Sequence, residues 1–297
     1  MKRFIKNLLK YVIRHLETLL PDKLYLQIRY YKRFHKFCDF NNPITYNEKL
    51  QWLKLYDRKP EYTSMVDKFE VKKIVADKIG KEYIIPTLGV WNSFDDIDFE
   101  QLPKQFVLKC THDSGGLVIV KDKSNFERKE AKNKIMSSLK RNYYWHGREW
   151  AYKNIKPRII AEQYLSSFEG QELVEYKIFC FNGIPKIFMV CKGKGHSTER
   201  TNDFYDMNFE LLPFTNGHPN SNKIVEKPKN FEKMEELAKK LSEGIPQVRV
   251  DFYDVNGKIY FGELTFFHWG GMMPFNPPEW DRKIGEWIQL SNKMEGK

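Results

Sequence analysis

Residues Gln247 to Phe266, QVRVDFYDVNGKIYFGELTF, constrain the fold more than any other stretch of this chain. Val248, Val250 and Phe252 alternate with Arg249, Asp251 and Tyr253, so the segment starts as a strand with one apolar and one charged face. Asn256-Gly257 supplies a tight turn, and on the return strand Ile259, Phe261, Glu263 and Thr265 are expected to share a face. Two registers are open. With a two-residue loop, Asp251 lies opposite Gly262 and Glu263 points to the other face. With Val255-Asn256-Gly257 as a bulged three-residue loop, Asp254 pairs with Lys258 and Arg249 lies opposite Glu263. Asp251, Glu263 and Thr265 then join Arg249 in one patch. Two carboxylates that close repel unless a cation lies between them. Oxygen ligands of this kind suit Mg²⁺, with phosphate as the remaining partner. The competing reading is a surface hairpin with a salt bridge.

The rest of the chain can support such a site. Its 297 residues suffice for one large domain or two modest ones, and 41% hydrophobic residues mark a globular class. No apolar run approaches the ~20 residues of a transmembrane helix. Cys38, Cys110, Cys180 and Cys191 show no CxxC spacing, which points to buried thiols in a reducing compartment and away from zinc.

The net charge of +11 is concentrated at one end, with ten Lys/Arg between Met1 and Lys36 against Glu17 and Asp22. That argues for one anionic contact surface and against nucleic acid along the whole protein. Phe4, Leu8, Val12, Leu16 and Leu19 fall on one face of a helix over residues 1–20, with Lys2, Lys6, Lys10 and Arg14 on the other. This helix lies on an anionic membrane or packs on the protein, and the sequence leaves both open.

Helices are expected over Thr45–Asp57, Tyr62–Gly80, Asn125–Arg141, Phe231–Ser242 and Glu279–Leu290. Lys68, Lys72 and Lys73 on the second read as solvated surface. Strands are expected near Ile84–Trp91 and over Gln105–Cys110, Leu117–Lys121, Arg158–Leu165, Leu173–Phe181 and Ile184–Cys191. Between the second and third of these, Ser114-Gly115-Gly116 makes a small-residue turn whose N–H groups can approach an anion. No GK[ST] follows, so it is not a Walker A loop. Lys177 stands inside an apolar strand, where a lysine needs an anion. Residues 142–152 are dense in aromatics around Arg148. Lys192–Phe204 reads as a polar loop carrying Lys192, Lys194, His196 and Arg200.

In this order, NEKLQWLKLYD, FVLKCTHDSGG, KPRIIAEQYL, EYKIFCFNG and VDFYDVNGKIYFGELTF resemble the TupA-like branch of the ATP-grasp superfamily over roughly residues 40 to 291. That branch is associated with teichuronopeptide and capsular-polysaccharide gene products. The resemblance implies an α/β (α+β) ATP-grasp fold, with the nucleotide between two antiparallel-sheet subdomains and an added N-terminal helical segment. The implied divisions are 1–40, a helical region over 41–104, a flap subdomain over 105–168 and a C-terminal subdomain over 169–297. ATP and Mg²⁺ are the implied cofactors. Lys109, with Lys68 from the preceding region, would meet phosphates under a lid of Ser114, Gly115 and Gly116. Glu162, Gln163, Tyr164 and Leu165 would form the adenine hinge, mostly through backbone groups. Lys177 would be a second phosphate or adenine-side lysine, and Arg249 would stabilise the transferring phosphoryl group. Asp251 and Glu263 would hold Mg²⁺, with Thr265 where many ATP-grasp enzymes have asparagine.

The activity so implied is a carboxylate–amine ligase working through an acyl phosphate. Its partners would be a polysaccharide or lipid-linked sugar acceptor bearing a uronic acid, and an amino acid or amine. Arg148, Lys192, Lys194, His196 and Arg200 are candidates for the acidic acceptor. The expected location is cytoplasmic, at the inner membrane face if residues 1–20 bind lipid. A sugar kinase on the same fold and a glycosyltransferase are the alternatives.

Overall fold

The computed structural model describes residues 18–166, 173–193, 200–221, 223 and 225–291. The basic helix expected over 1–20 lies almost wholly outside the described residues, as do Lys194 and His196. Among the described residues no helix is long and apolar enough to cross a membrane.

The chain begins with helices α1 (Asp22–Phe34), α2 (Tyr46–Tyr56), α3 (Glu61–Val66) and α4 (Val71–Ile79). Next come β1 (Thr87–Trp91), β2 (Phe106–Cys110), β3 (Leu117–Val120), α5 (Arg128–Leu139), α6 (Tyr144–Gly147) and β4 (Ile159–Gln163). The last part comprises β5 (Glu175–Phe181), β6 (Ile184–Lys192), β7 (Thr201–Tyr205), β8 (Thr215–Asn216), α7 (Phe231–Ser242), β9 (Gln247–Val255), β10 (Lys258–Thr265), β11 (Phe275–Asn276) and α8 (Glu279–Glu286). Two antiparallel sheets organise these elements, one in the order β1-β4-β2-β3 and one in the order β10-β9-β5-β6-β7. This is the expected mixed architecture of helices and antiparallel sheets.

Each sheet has a core face and a charged or open face, and both follow from alternation along the strands. In the four-stranded sheet Phe106, Leu108, Ile159 and Ala161 pack with Ile135 of α5 and with Phe94 and Phe99. Its other face carries Val107, Lys109, Leu117, Ile119, Ile160 and Glu162 as cross-strand partners. Leu117 and Ile119 are exposed there. In the five-stranded sheet Ile178, Cys180, Val248, Val250, Phe252 and Leu264 join Phe231, Met234 and Leu237 of α7 in the larger core. Burying an aliphatic or aromatic side chain contributes roughly 1.5–3 kcal/mol, so this face anchors the sheet.

Thr45 caps α2, in a reciprocal capping box with Glu48. Three expectations are corrected. The helix over Tyr62–Gly80 is two helices: Asp67 is extended and its Oδ1 accepts from the Phe69 and Glu70 N–H groups, so the chain restarts there. Lys68 therefore leaves the helix surface and is half-buried, donating to the Asp113 carbonyl. The division at 104/105 cuts a hydrogen-bonded sheet, because β1 pairs with β4 and Phe94 and Phe99 belong to the flap core. Part of the polar loop, Thr201–Tyr205, is the edge strand β7 beside β6. All four cysteines are buried and free.

Candidate functional site

The hairpin closes on a two-residue turn, with Lys258 opposite Val255 and both Asn256 and Gly257 at positive φ. The three-residue loop is therefore wrong. The extra residue is Gly262, where the register shifts between Phe261 and Glu263. Before the bulge Phe261 faces the core opposite Phe252. After it, Glu263 pairs with Asp251, and Thr265 with Arg249. Ile259 and Phe261 thus do not share a face with Glu263 and Thr265: the bulge moves the acidic end of the strand onto the charged face. A side chain at 262 would meet the Asp251 carbonyl oxygen at 3.1 Å and the Tyr253 ring at 3.2 Å.

On that face Lys177 lies directly across from Asp251. Its Nζ is 2.5 Å from Asp251 Oδ2 and 3.0 Å from Glu175 Oε2. The Arg249 fork donates to both Asp251 oxygens at 2.6 Å, and Nη2 also reaches Thr265 Oγ1 at 2.9 Å and Glu263 Oε1 at 3.2 Å. Arg200 adds a cation at 3.3 Å from Glu175. Burial opposes the Lys177 charge, yet Asp251 and Glu175 hold its pKa up at about 12. Burial would raise the Glu263 carboxyl, but Lys177, Arg249 and Lys68 outweigh it and hold it at about 2.

The opposite wall comes from the four-stranded sheet and the turn before α4. Lys68 Nζ donates to the Asp113 carbonyl at 2.7 Å. Burial lowers its pKa, and among its charged neighbours Glu263 acts most strongly, so Lys68 faces the hairpin across the cleft. Lys109 Nζ and Lys72 Nζ clasp Glu162 at 2.6 and 2.5 Å. Burial would raise the Glu162 carboxyl, and the two lysines hold it below its ordinary value. Ser114-Gly115-Gly116 is tied down at its base. Asp113 accepts from the Gly115 N–H at 2.9 Å, from Arg141 at 2.7 Å and from the Ser138 hydroxyl. Gly116 must lack a side chain, since a Cβ there would lie 2.5 Å from Cys110 Sγ.

The expected residues are thus largely brought together, and the structure shows what several of them touch. Glu162 is a ladder residue between Thr87 and Val107 whose carboxylate organises lysines, so only Gln163, Tyr164 and Leu165 stand at the strand end where a hinge is expected. Gln163 and Tyr164 line a crevice of about 590 Å³ with Leu88, Gln105 and Lys121. Thr265 donates to Glu263 at 3.1 Å and accepts from Arg249, so it bridges the two. Asp251 spends its oxygens on Arg249 and Lys177. Arg148 lies far from this role, buried between the Tyr25 and Trp145 rings and paired with Asp22 at 3.0 Å. Lys72 also departs from the solvated surface expected for it.

Among the described residues no group of three or more His, Cys, Asp or Glu is arranged to hold a metal ion. Glu263, with a side chain 45% exposed and a low pKa, is the one open carboxylate of the patch. The donors therefore fit Mg²⁺ only where phosphate oxygens complete its shell.

Sequence reasoning missed His268. Its Nδ1 accepts from Arg249 Nη1 at 2.7 Å, because a guanidinium only donates, so Nε2 carries the proton and donates to Asn216 Oδ1 at 3.1 Å. Burial, then Arg249 and Lys177, hold its pKa well below the ordinary value, so the ring is neutral. A histidine three residues past Thr265 was the available signal. It was silent because the chain turns back on itself there, with Trp269 at positive φ.

A family model described as TupA-like ATPgrasp matches residues 48–289. No curated protein matches the chain. Among solved structures, the D-alanine–D-alanine ligase from Bacillus anthracis complexed with ATP is 16% identical, covering 68% of this chain and 55% of that one, with a TM-score of 0.39. The Helicobacter pylori D-alanine–D-alanine ligase is 17% identical, with 76% and 61% covered and a TM-score of 0.40. The ATP-grasp ligase PsnB complexed with minimal precursor, Mg and ADP is 11% identical, with 74% and 57% covered and a TM-score of 0.38. The chain spans less than two thirds of the length of these structures, and at such TM-scores they say nothing about its chemistry.

Proposed function

The chain belongs to the TupA-like ATP-grasp family, and from that premise we propose that it is an ATP-dependent ligase joining a carboxylate to an amine through an acyl phosphate. The carboxylate is that of a uronic acid in a capsular or cell-wall polysaccharide or its lipid-linked precursor, and the amine is an amino acid or a simple amine.

The observation that carries this reading is the charge across the cleft. Lys177, Arg249 and Arg200 on one wall and Lys68, Lys72 and Lys109 on the other outnumber Glu175, Asp251, Glu263 and Glu162. A polyphosphate supplies the missing negative charge. The open apolar face of Val107, Leu117 and Ile119 lies on the same wall as Lys109, and suits the adenine and ribose. Lys109 and Lys68 then hold the phosphates, and the N–H groups of Ser114, Gly115 and Gly116 close over them.

Arg249 is preorganised for the charge that develops on the transferring phosphoryl group. Asp251, Thr265 and His268 fix its plane, so no reorganisation accompanies the reaction. Asp251 keeps Lys177 and Arg249 adjacent despite their like charge. Glu263 would hold Mg²⁺, which when bound neutralises the terminal phosphates. The attacking group is the substrate carboxylate, so no side chain need act as nucleophile.

The test is a screen for ATP consumption with amino acids against glucuronate- and galacturonate-bearing saccharides, followed by mass spectrometry. ADP and phosphate should appear only with both substrates present, together with an amide product. A phosphorylated sugar formed without any amine would overturn the ligase in favour of a kinase.

A further inference from the structure

Behind the phosphate site lies a buried carboxylate that the roles above do not use. Glu149 is 7% exposed, in the aromatic segment after α6. Among the described residues, no hydrogen bond or ion pair reaches its carboxylate. A buried carboxylate in that condition is costly, and such groups normally have donors of their own. Lys54 acts on it only from longer range, because its ammonium is turned to Gln51 Oε1 at 3.2 Å and to the Gly270 carbonyl at 2.7 Å.

Two backbones without side chains flank the carboxylate. A Cβ on Gly147 would come within 3.0 Å of Glu149 Oε1, and one on Gly270 within 3.4 Å. Gly270 follows by two residues the His268 that holds Arg249. Tyr152 bridges the two regions, its phenol responding to Glu149, Glu263 and Arg249 together. Tyr143 stands edge-on to it at 4.9 Å, and its phenol feels both Glu149 and Glu263. An anion without a hydrogen bond or ion pair, beside two tyrosine rings that also respond to Glu263, makes a seat for a cation that must react there.

We infer that the Glu149 carboxylate receives the ammonium group of the amine substrate and takes its proton. The inference rests on the ligase reading above. Of the two protons the ammonium sheds, the first goes to Glu149. The freed nitrogen bonds to the acyl carbon, the bond from that carbon to the phosphate oxygen breaks, and phosphate leaves with the electron pair and the second proton. Burial raises the Glu149 carboxyl to about 7 against the pull of Lys54, which suits a group that is ionised to bind and neutral after transfer.

The experiment compares the full chain with Glu149→Gln and Glu149→Asp. ATP turnover is measured with a uronic-acid acceptor and either an amino-acid panel or hydroxylamine, a nucleophile uncharged at neutral pH. Glu149→Gln should reduce amine-dependent turnover about 30-fold or more, while hydroxylamine still supports near wild-type ADP release. Glu149→Asp, which keeps the charge on a shorter stem, should recover part of the loss through a raised amine KM. Should Glu149→Gln fail to fold, the aspartate variant alone decides, with an unchanged amine KM overturning the inference. Equal use of amines by wild type and Glu149→Gln overturns it, and so does equal loss with both nucleophiles, which would make Glu149 a structural carboxyl. A wild-type enzyme that no nucleophile stimulates overturns the ligase reading, and this inference with it.

Discussion

Arg148 and Arg249 are both buried, both paired with an aspartate and both placed among residues distant in sequence, yet they do different work. Arg148 has no exposed surface and lies 4.2 Å from the Tyr25 ring centre and 4.6 Å from that of Trp145. Its aspartate, Asp22, also accepts from Arg58 and Tyr144 at 2.6 Å. That cage staples α1 to the aromatic segment and leaves nothing for a ligand to do. Arg249 sits among ionisable groups whose charges it organises, next to a carboxylate that remains open. A buried arginine therefore does not mark a site. What marks one is the company of unspent charge, because an unspent buried charge has a cost that only a ligand removes.

The sharpest way to break this contrast is to exchange the outcomes of the two arginines. Arg249→Met should lower kcat about 10³-fold in the ATP-turnover assay, since it removes a preorganised cation from the transferring phosphoryl group. A variant that keeps full turnover would place Arg249 with Arg148 as a structural residue. Arg148→Met should do the reverse. Removing the stapling guanidinium should destabilise the fold by about 1–3 kcal/mol in denaturant unfolding, because Asp22 keeps Arg58 and Tyr144. Turnover per folded molecule should be unchanged, and a selective loss of turnover would restore Arg148 to the acceptor site.

A smaller effect probes what holds Arg249 in place. The folded-state pKa of His268 lies below its unfolded value of about 6.5. Between the two the unfolded chain binds more protons, so the stability His268 contributes is present above pH ~6.5 and is lost as pH falls towards the folded pKa. His268→Gln keeps an acceptor for Arg249 and cannot titrate. Below pH ~6.5 its unfolding free energy should fall less steeply than that of the wild type, by up to about 1.4 kcal/mol per pH unit. Parallel slopes would mean that the histidine is already charged in the folded protein and does not accept from Arg249.

How legible the site was depended on whether one strand or two layers determined each residue's surroundings. Lys177 could be singled out because a lysine inside an apolar strand is anomalous wherever that strand goes, and it does meet Asp251. Lys72 could not, because its helical spacing is that of ordinary solvated surface, and only the docking of α4 beside β4 sets it against Glu162. Glu149 and His268 were equally silent. Each follows an element end, where periodicity carries no information about the direction of a side chain. Arg148 misled for the opposite reason: arginine among aromatics has the same composition in a ligand platform and in a sealed cage.

The opening hairpin divides most cleanly between what the chain alone determined and what the tertiary structure decided. The alternation of Val248 to Tyr253, the Asn256-Gly257 turn with both residues at positive φ, and the cap at Thr45 are local consequences of side-chain period and backbone freedom. The same local order carried the family motifs from residue 48 to 289. Which face Glu263 takes was not local. A strand can place its extra residue in the turn or at any later glycine, and the free energies differ only once the other layers are present. With α7 filling one side, Phe261 gains by pointing inward. With Arg249 and Lys177 on the other, Glu263 gains by pointing outward, and the bulge at Gly262 is where both are satisfied.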